Sequence, residues 1–174
     1  MKPSKNEINQ PSYILKPSEI YGIKVHDQIL AGMANPIQAD NSLWESLYEK
    51  GIQNVVCLLT DKPLYNPEPL KILASVRLED LYGGVKPSDE PKEKLKIRGV
   101  VGRITKAIKS GESVVIHCEG GTGRTGTVIG CVLREIGYDF EAVLNTMTEI
   151  NRLRGRSDNG WPESDWQSNI VEGW

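Results

Sequence analysis

The chain has 174 residues, enough for one domain with a hydrophobic core and too few for two of ordinary size. Hydrophobic residues make up 39% and charged residues 25%, a composition typical of a soluble globular protein. The formal charge of -2 gives no electrostatic reason to expect binding to nucleic acid or to a membrane surface, because both normally require a clustered excess of Lys and Arg.

No stretch approaches the roughly 18 consecutive apolar residues of a membrane helix, and residues 1–10 lack the apolar core of a signal peptide. The three cysteines, Cys57, Cys118 and Cys131, are an odd and low number, which argues against a disulfide framework and for a reducing compartment. We therefore expect a cytoplasmic protein with at least one free thiol.

The first half of the chain begins with a polar stretch over residues 1–12, which we interpret as a loose arm before a single domain at residues 13–174. Short apolar runs at residues 12–15 and 29–33 suggest strands. Residues 40–50 have apolar positions at helical spacing, and Ser42 and Glu45 fit a capping box there. The continuous apolar run at residues 55–59 is typical of a buried parallel strand.

The following residues predict a short helix at 67–74, a short strand at 76–78 and a loop at 80–90. A long helix then ends at Gly111, before a strand at residues 114–117. Further helices are predicted from Thr125 to Gly137, from Asp139 to a loop at residues 154–162, and at the C-terminal end. This alternation predicts an α/β fold, a mainly parallel central sheet with helices on both faces in three layers.

The turn after the strand at residues 114–117 contains four glycines in seven positions. It connects a strand to a helix, so its backbone N–H groups and the positive end of the helix can form a concave nest for an anion such as phosphate. The residues expected to bind phosphate are Glu119, Gly120, Gly121, Thr122, Gly123 and Arg124. Cys118 lies at the rim of this nest, where the same field favours the reactive thiolate.

Three other residues of this segment have expected roles in the same chemistry. Arg124 follows six positions after Cys118, and its planar guanidinium can bind two phosphoryl oxygens at once, which Lys cannot do. Thr125 is placed to hydrogen-bond the sulfur as it leaves. His117 is interpreted as a structural residue whose hydrogen bond positions the cysteine loop.

The run His117-Cys118, five residues, Arg124-Thr125 resembles the signature loop of the cysteine-dependent protein tyrosine phosphatase superfamily. The small size of the chain makes it more similar to the dual-specificity and kinase-associated branch than to the larger tyrosine phosphatases. The resemblance spans residues 20–170. It implies hydrolysis of phosphorylated protein or peptide through a phosphocysteine on Cys118, without a metal or other cofactor.

The family protonates the leaving oxygen with an aspartic acid from an earlier loop. Residues 79–87, EDLYGGVKP, resemble the Asp-Gly-Gly acid loop of kinase-associated phosphatases, with Leu81 and Tyr82 as an apparent insertion. This similarity indicates Asp80 as the general acid, with Asp89 and then Glu79 as alternatives.

The C-terminal region is similar to the arginine-rich turn and the glutamine-bearing final helix of the same family. Arg154 and Arg156 correspond to the turn, and Glu163 and Gln167 to the segment that follows. The similarity makes Gln167 a candidate for orienting the hydrolytic water. It makes Arg154 or Arg156 a candidate for contacting an acidic residue beside the phosphate of the substrate.

Other interpretations of the glycine-rich turn stay open. A nucleotide-binding loop needs glycine and lysine where this chain has Cys118 and Arg124. Sulfur transfer of the rhodanese type does not predict the Gly-Arg-Thr-Gly run, and an inert buried cysteine does not need the glycines. Among phosphatases, the alternative substrates are phosphoinositides, inositol phosphates and RNA 5′ ends, which Glu119 and the lack of a loop Lys disfavour. A phospho-binding module without turnover is a third function.

Two cysteines lie outside the signature loop. Cys57 and Cys131 have apolar neighbours, which predicts core thiols. Cys57 has a second interpretation, because its strand is predicted to run parallel to that of Cys118 and some relatives keep a resolving cysteine there.

Overall fold

The computed structural model describes residues 13–15, 20–37 and 40–174. This part of the chain forms six strands and five helices. In chain order they are β1 (Tyr13–Leu15), β2 (Ile20–Val25), β3 (Gln28–Met33), α1 (Asn41–Glu49), β4 (Ile52–Cys57), β5 (Lys71–Ser75), α2 (Glu90–Lys109), β6 (Ser113–His117), α3 (Gly123–Ile136), α4 (Phe140–Leu153) and α5 (Asp165–Glu172). The expected loose arm at residues 1–12 lies outside the described residues.

The six strands form one sheet in the order β1-β2-β3-β6-β4-β5. Strands β3, β6, β4 and β5 are mutually parallel, whereas β1 and β2 add to the edge as antiparallel strands. Strand β6 lies between β3 and β4, and all five of its residues are buried. The sequence VVI at residues 114–116 suits this central position, because a parallel strand covered on both faces needs apolar residues on both sides.

Helices cover both faces of the sheet, which confirms the predicted three-layer αβα fold. On one face, α1 packs Trp44 and Leu47 against a cluster that includes Val55 of β4 and Val115 of β6. On the other face, the larger core joins the sheet to apolar residues of α2, α3, α4 and α5. No helix among the described residues is both long enough and apolar enough to cross a membrane.

Several predictions about individual elements are wrong. Residues 67–74 were expected to be helical, but the chain forms strand β5 and pairs with β4 in parallel. The strand expected at residues 76–78 is not formed in this described segment, although the amides of Val76 and Leu78 still donate to the carbonyls of Cys57 and Leu58. Helix α1 is capped by Asp40, which accepts a hydrogen bond from the amide of Ser42, so Ser42 and Glu45 do not form the predicted capping box. Strand β2 was not predicted.

The signature loop occupies the carboxyl end of the central strand. Strand β6 ends at His117, and α3 begins at Gly123. The loop between them is therefore bordered by the chain that leaves β3 and by the chain that leaves β4, since both strands run parallel to β6. Three elements that are distant in sequence can contact this loop, as expected for a ligand site at the carboxyl edge of such a sheet.

Candidate active site

The first two carbonyl groups of the loop are held on its outer side. The carbonyl oxygen of Cys118 lies 3.3 Å from Nδ1 of His117, and the carbonyl of Glu119 accepts a 2.8 Å hydrogen bond from the amide of Asn35. Asn35 also donates from Nδ2 to the carboxylate of Glu119, over 3.0 Å. The residues that follow β3 therefore fix both the backbone and the side chain of Glu119.

The next two carbonyl groups are held by a buried arginine and a buried tyrosine. Nη2 of Arg154 donates to the carbonyl of Gly120 over 2.9 Å, and Nη1 donates to the carbonyl of Gly121 over 3.1 Å and to Oγ1 of Thr122 over 3.0 Å. The Tyr21 hydroxyl donates a 2.7 Å hydrogen bond to the carbonyl of Gly121. The guanidinium of Arg154 also lies over the Tyr21 ring, 5.0 Å from its centre.

These four outward carbonyls determine where the loop amides point. In a planar trans peptide, the N–H group points opposite to the C=O group of the preceding residue. With the carbonyls of residues 118–121 bound outside, the N–H groups of residues 119–122 point toward the inside of the loop. No side chain of the described residues caps α3 at Thr122, so the first amides of this helix also face the loop. The result is the anion nest expected from the sequence.

A cleft of about 160 Å³ opens over this nest. Its lining brings together the predicted nucleophile, the predicted guanidinium and the predicted acid with part of the loop: Asp80, Tyr82, Cys118, Glu119, Gly120, Gly123, Arg124 and Glu163. Cys118 is only 2% exposed, so its sulfur lies at the bottom of the cleft.

Asp80 is the only one of the three candidate acids that lines the cleft. Its Oδ2 lies 3.8 Å from Nη2 of Arg124, and its side chain is 62% exposed. Asp89 instead caps helix α2 by accepting from the amide of Lys92. The carboxylate of Glu79 accepts hydrogen bonds from the amide and the hydroxyl of Ser88, which closes the base of the acid loop.

His117 has the environment of a structural residue. Burial lowers the pKa of His117 to about 4, so its imidazole is neutral at pH 7. Its Nδ1 faces a carbonyl, which can only accept, so the proton lies on Nδ1 and Nε2 accepts a 2.6 Å hydrogen bond from the Tyr65 hydroxyl. Tyr65 in turn stacks on Trp44, with 5.0 Å between ring centres.

The Thr125 hydroxyl is buried and has no hydrogen-bond partner among the described residues. A buried hydroxyl without a partner costs about 1–3 kcal/mol, so such a group is usually kept for a reason. It lies in the first turn of α3, and the role expected from the sequence, a hydrogen bond to the departing sulfur, stays a prediction.

The structure gives Arg154 a different position from the one expected. It is 9% exposed and its guanidinium is bound to the loop, so the prediction that it contacts the flank of a substrate is wrong. Arg156 lies nearer the surface, with Nη1 3.7 Å from the point where a Cβ on Gly120 would stand. The sequence alone does not indicate that Arg154 supports the loop, because Arg154 contacts the loop carbonyls only after the chain folds and brings the turn after α4 next to the loop.

Glu163 is a second carboxyl group in the cleft. Half-burial raises the pKa of Glu163 above its usual value, the nearby carboxylate of Asp80 raises it further, and Arg124 and Arg156 oppose the shift. The carboxylate is packed so closely against Gly123 that a Cβ there would overlap it. Gln167 is 1% exposed and uses its Oε1 to accept from the Glu163 amide, which holds the turn beside the cleft.

The remaining two cysteines are buried. Burial raises the pKa of the Cys131 thiol, as expected for a core residue. Cys57 is paired in register with His117 on the adjacent parallel strand. Burial raises the pKa of Tyr65, and Cys57 raises it further. A resolving role for Cys57 stays a prediction.

A family model described as "PTP-SAK: Swiss Army Knife protein, DSP-PTPase phosphatase domain" matches residues 24–159. A search of curated protein sequences finds no match. The match to the family model includes the acid loop, the whole signature loop and Arg154.

Solved structures show a similar fold at low sequence identity. Tk-PTP in its active form has 21% identity and a TM-score of 0.60, with 91% of this chain and 97% of that chain covered. Kinase associated phosphatase with its catalytic-site cysteine replaced by serine has 19% identity and a TM-score of 0.59, with 90% and 93% covered. A cysteine-to-serine variant of TpbA from P. aeruginosa in complex with pTyr has 17% identity and a TM-score of 0.57, with 87% and 83% covered.

Proposed function

Since the chain belongs to the DSP-PTPase phosphatase family, we propose that it hydrolyses phosphate monoesters with Cys118 as the nucleophile. The observation that carries this proposal is the outward fixation of four consecutive loop carbonyls beside Cys118. It leaves a bowl of amides above a deeply placed sulfur, with Arg124 and Asp80 in the same cleft. Such preorganised donors stabilise the charge on the phosphoryl oxygens, which is usually the largest single contribution to catalysis.

In the first step, the Cys118 thiolate attacks phosphorus while the loop amides and Arg124 hold the three non-bridging oxygens. The S–P bond forms and the bond from phosphorus to the ester oxygen breaks. Asp80, in its protonated form, gives its proton to the leaving oxygen. The close approach of Asp80 and Arg124 supports this assignment, because the acid then stands beside the group that orients the phosphoryl oxygens.

In the second step, water attacks the phosphocysteine. Asp80, now a carboxylate, takes a proton from the water, the S–P bond breaks, and inorganic phosphate and the thiolate are released. The Thr125 hydroxyl donates to the departing sulfur, which gives a partner to a group that has none among the described residues. Glu163 shares the cleft, so it is the rival of Asp80 for the proton transfers.

Phosphorylated protein or peptide is the proposed substrate, with phosphotyrosine and then phosphoserine or phosphothreonine as the phosphorylated residue. The negative charge of Glu119 at the rim opposes a second anionic group, as in phosphoinositides or inositol phosphates. The pTyr complex of TpbA, which has a similar fold, also supports this substrate class. The low and odd number of cysteines supports the cytoplasm as the compartment.

Release of p-nitrophenol from p-nitrophenyl phosphate tests the proposal. We expect Cys118→Ser to abolish turnover while still binding inorganic phosphate. Asp80→Asn is expected to lower kcat by roughly 10² to 10⁴, the range for loss of a general acid. Asp89→Asn is the matched control, because asparagine caps a helix about as well as aspartate and Asp89 lies outside the cleft.

The outcomes separate the assignments. A wild-type protein that binds phosphate but releases none from any ester is a binding module and not an enzyme. An unchanged kcat for Asp80→Asn, with a loss of at least about a hundredfold for Glu163→Gln, transfers the acid role to Glu163.

A further inference from the structure

The two residues that appear as an insertion in the acid loop take opposite positions in the structure. Leu81 is 3% exposed and lines a small cavity together with Ile97 and Trp166. Tyr82 is 69% exposed and lines the cleft above Cys118. The insertion therefore anchors the loop with one side chain and places an aromatic ring at the entrance of the cleft with the other.

Backbone contacts connect this aromatic ring to the catalytic machinery. The amide of Tyr82 donates a 3.0 Å hydrogen bond to Oδ1 of Asp80. Two residues later, the amide of Gly84 donates a 3.1 Å hydrogen bond to the carbonyl of Glu163, on the turn that borders the cleft. Gly83 and Gly84 have φ of +86° and +83°, a conformation that glycine adopts readily. The loop thus fixes the position of Tyr82 relative to Asp80.

The exposure of the Tyr82 ring has no explanation in packing. No hydrogen bond from the described residues reaches its hydroxyl, and no aromatic ring among them stacks on it. A large aromatic ring in water gains free energy when it packs against another ring, so this side chain favours an aromatic ligand over an aliphatic one.

We propose that Tyr82 forms an aromatic wall of the cleft that selects aryl phosphates, phosphotyrosine above all, over the alkyl phosphates phosphoserine and phosphothreonine. This inference rests on the proposed function, because it requires the phosphate to bind at the loop next to Cys118. Since Cys118 is 2% exposed, a phosphate bound there brings the first atoms of its ester group into the cleft beside residue 82. In phosphotyrosine those atoms form a ring, which packs on Tyr82, whereas in phosphoserine they form one methylene group.

Binding measured in a Cys118→Ser background tests the inference without turnover. Two peptides with the same flanking residues, one with phosphotyrosine and one with phosphothreonine, are titrated by fluorescence anisotropy. Adding Tyr82→Ala is expected to raise the Kd for the phosphotyrosine peptide about 5- to 10-fold, the value of one aromatic pair, and to change the Kd for the phosphothreonine peptide less than about twofold. Tyr82→Phe is expected to keep the wild-type preference.

Val85→Ala is the matched control, because Val85 is an exposed apolar residue of the same loop that does not line the cleft. It should leave both Kd values unchanged, and inorganic phosphate should bind equally to all variants. With Cys118 restored, Tyr82→Ala should raise KM for the phosphotyrosine peptide more than it lowers kcat, since ring packing is present in both ground and transition states.

Two results would overturn the inference. One is an equal loss for both peptides in Tyr82→Ala, which would mean that Tyr82 only positions the loop. The other is a Tyr82→Leu variant that keeps the full preference for phosphotyrosine, which would mean that bulk and not the ring is read. A wild-type protein without turnover on any ester would refute the proposed enzyme. The titrations of the Tyr82 variants with the two peptides would still show whether Tyr82 selects phosphotyrosine, because they do not require turnover.

Discussion

Arg154 offers the sharpest test of how the active-site loop is held. Its guanidinium makes three hydrogen bonds to the loop, at 2.9, 3.0 and 3.1 Å, and lies 5.0 Å from the centre of the Tyr21 ring. Arg154→Met keeps most of the length and the apolar part of the side chain but removes all five donors and the charge. The carbonyl of Gly121 keeps its hydrogen bond from Tyr21, whereas the carbonyl of Gly120 keeps only the 3.4 Å hydrogen bond from the Thr122 hydroxyl.

The size of the effect follows from these contacts. Hydrogen bonds to a charged group contribute about 1.5–3 kcal/mol each, but removing a buried guanidinium also recovers part of its desolvation cost. We therefore expect Arg154→Met to lower the free energy of unfolding by about 2–4 kcal/mol. The loop amides would lose their fixed orientation, so kcat/KM should fall about a hundredfold and inhibition by inorganic phosphate should weaken.

Urea denaturation at pH 7 and inhibition by inorganic phosphate measure the two effects. Arg152→Met is the matched control, since Arg152 is exposed and its ion pair among the described residues is with Glu149 of the same helix, at 2.6 and 2.8 Å. An exposed pair of this kind contributes at most about 1 kcal/mol. If Arg154→Met instead kept the stability and the phosphate inhibition of the wild type and weakened only acidic peptides, Arg154 would be a substrate contact and not a support of the loop.

Three further predictions concern the loop and its surroundings. Thr125→Val should raise the free energy of unfolding by about 1–3 kcal/mol, because it removes a buried hydroxyl without a partner among the described residues. It should also slow release from Cys118, so that rapid mixing shows a burst of p-nitrophenol. Gly121→Ala should lower the free energy of unfolding, measured by urea denaturation, by about 2 kcal/mol or more, because φ is +70° and the new Cβ would stand 2.5 Å from the backbone of β3. Gly51→Ala, at φ +90° in open space, should lower it less. Because burial lowers the pKa of His117 to about 4, the unfolded chain binds a proton that the folded chain excludes, and stability is lost as the pH falls from about 6.5 toward 4. The stability difference between wild type and His117→Asn should therefore shrink by about 2–3 kcal/mol between pH 7 and pH 4.5, whereas a constant difference would contradict a neutral imidazole.

The sequence was most informative where a local signal and the final fold agree. The long helix α2 has apolar residues on one face and a glycine just after its end. The glycines that follow Cys118 indicate an anion nest wherever such a turn follows a parallel strand. Strand β5 was misread because Pro67, Glu68 and Pro69 look like the start of a helix. Its residues become a strand by pairing with β4, so a tertiary contact overrides the local preference.

Strand β2 shows a second kind of failure. Its sequence, IYGIKV, contains a glycine and a lysine, and five of its six residues are buried, so it has neither a clean alternation nor a continuous apolar run. Pairing in register between β1 and β3 decides its conformation. Gly32 of β3 leaves room for the Tyr21 ring, because a Cβ on that residue would stand 2.3 Å from the phenol.

The missed strand bears directly on the site, because Tyr21 carries the hydroxyl that holds Gly121 from a hundred residues away. Asn35, Tyr65 and Arg154 act on the loop or on His117 from other distant parts of the chain. A short motif can therefore identify the chemistry, but its geometry depends on contacts that only the folded domain supplies. Variants at Tyr21 and Arg154 should for this reason lower activity together with stability, whereas a variant at the exposed Tyr82, which lies outside the core, should weaken binding of phosphotyrosine without lowering stability.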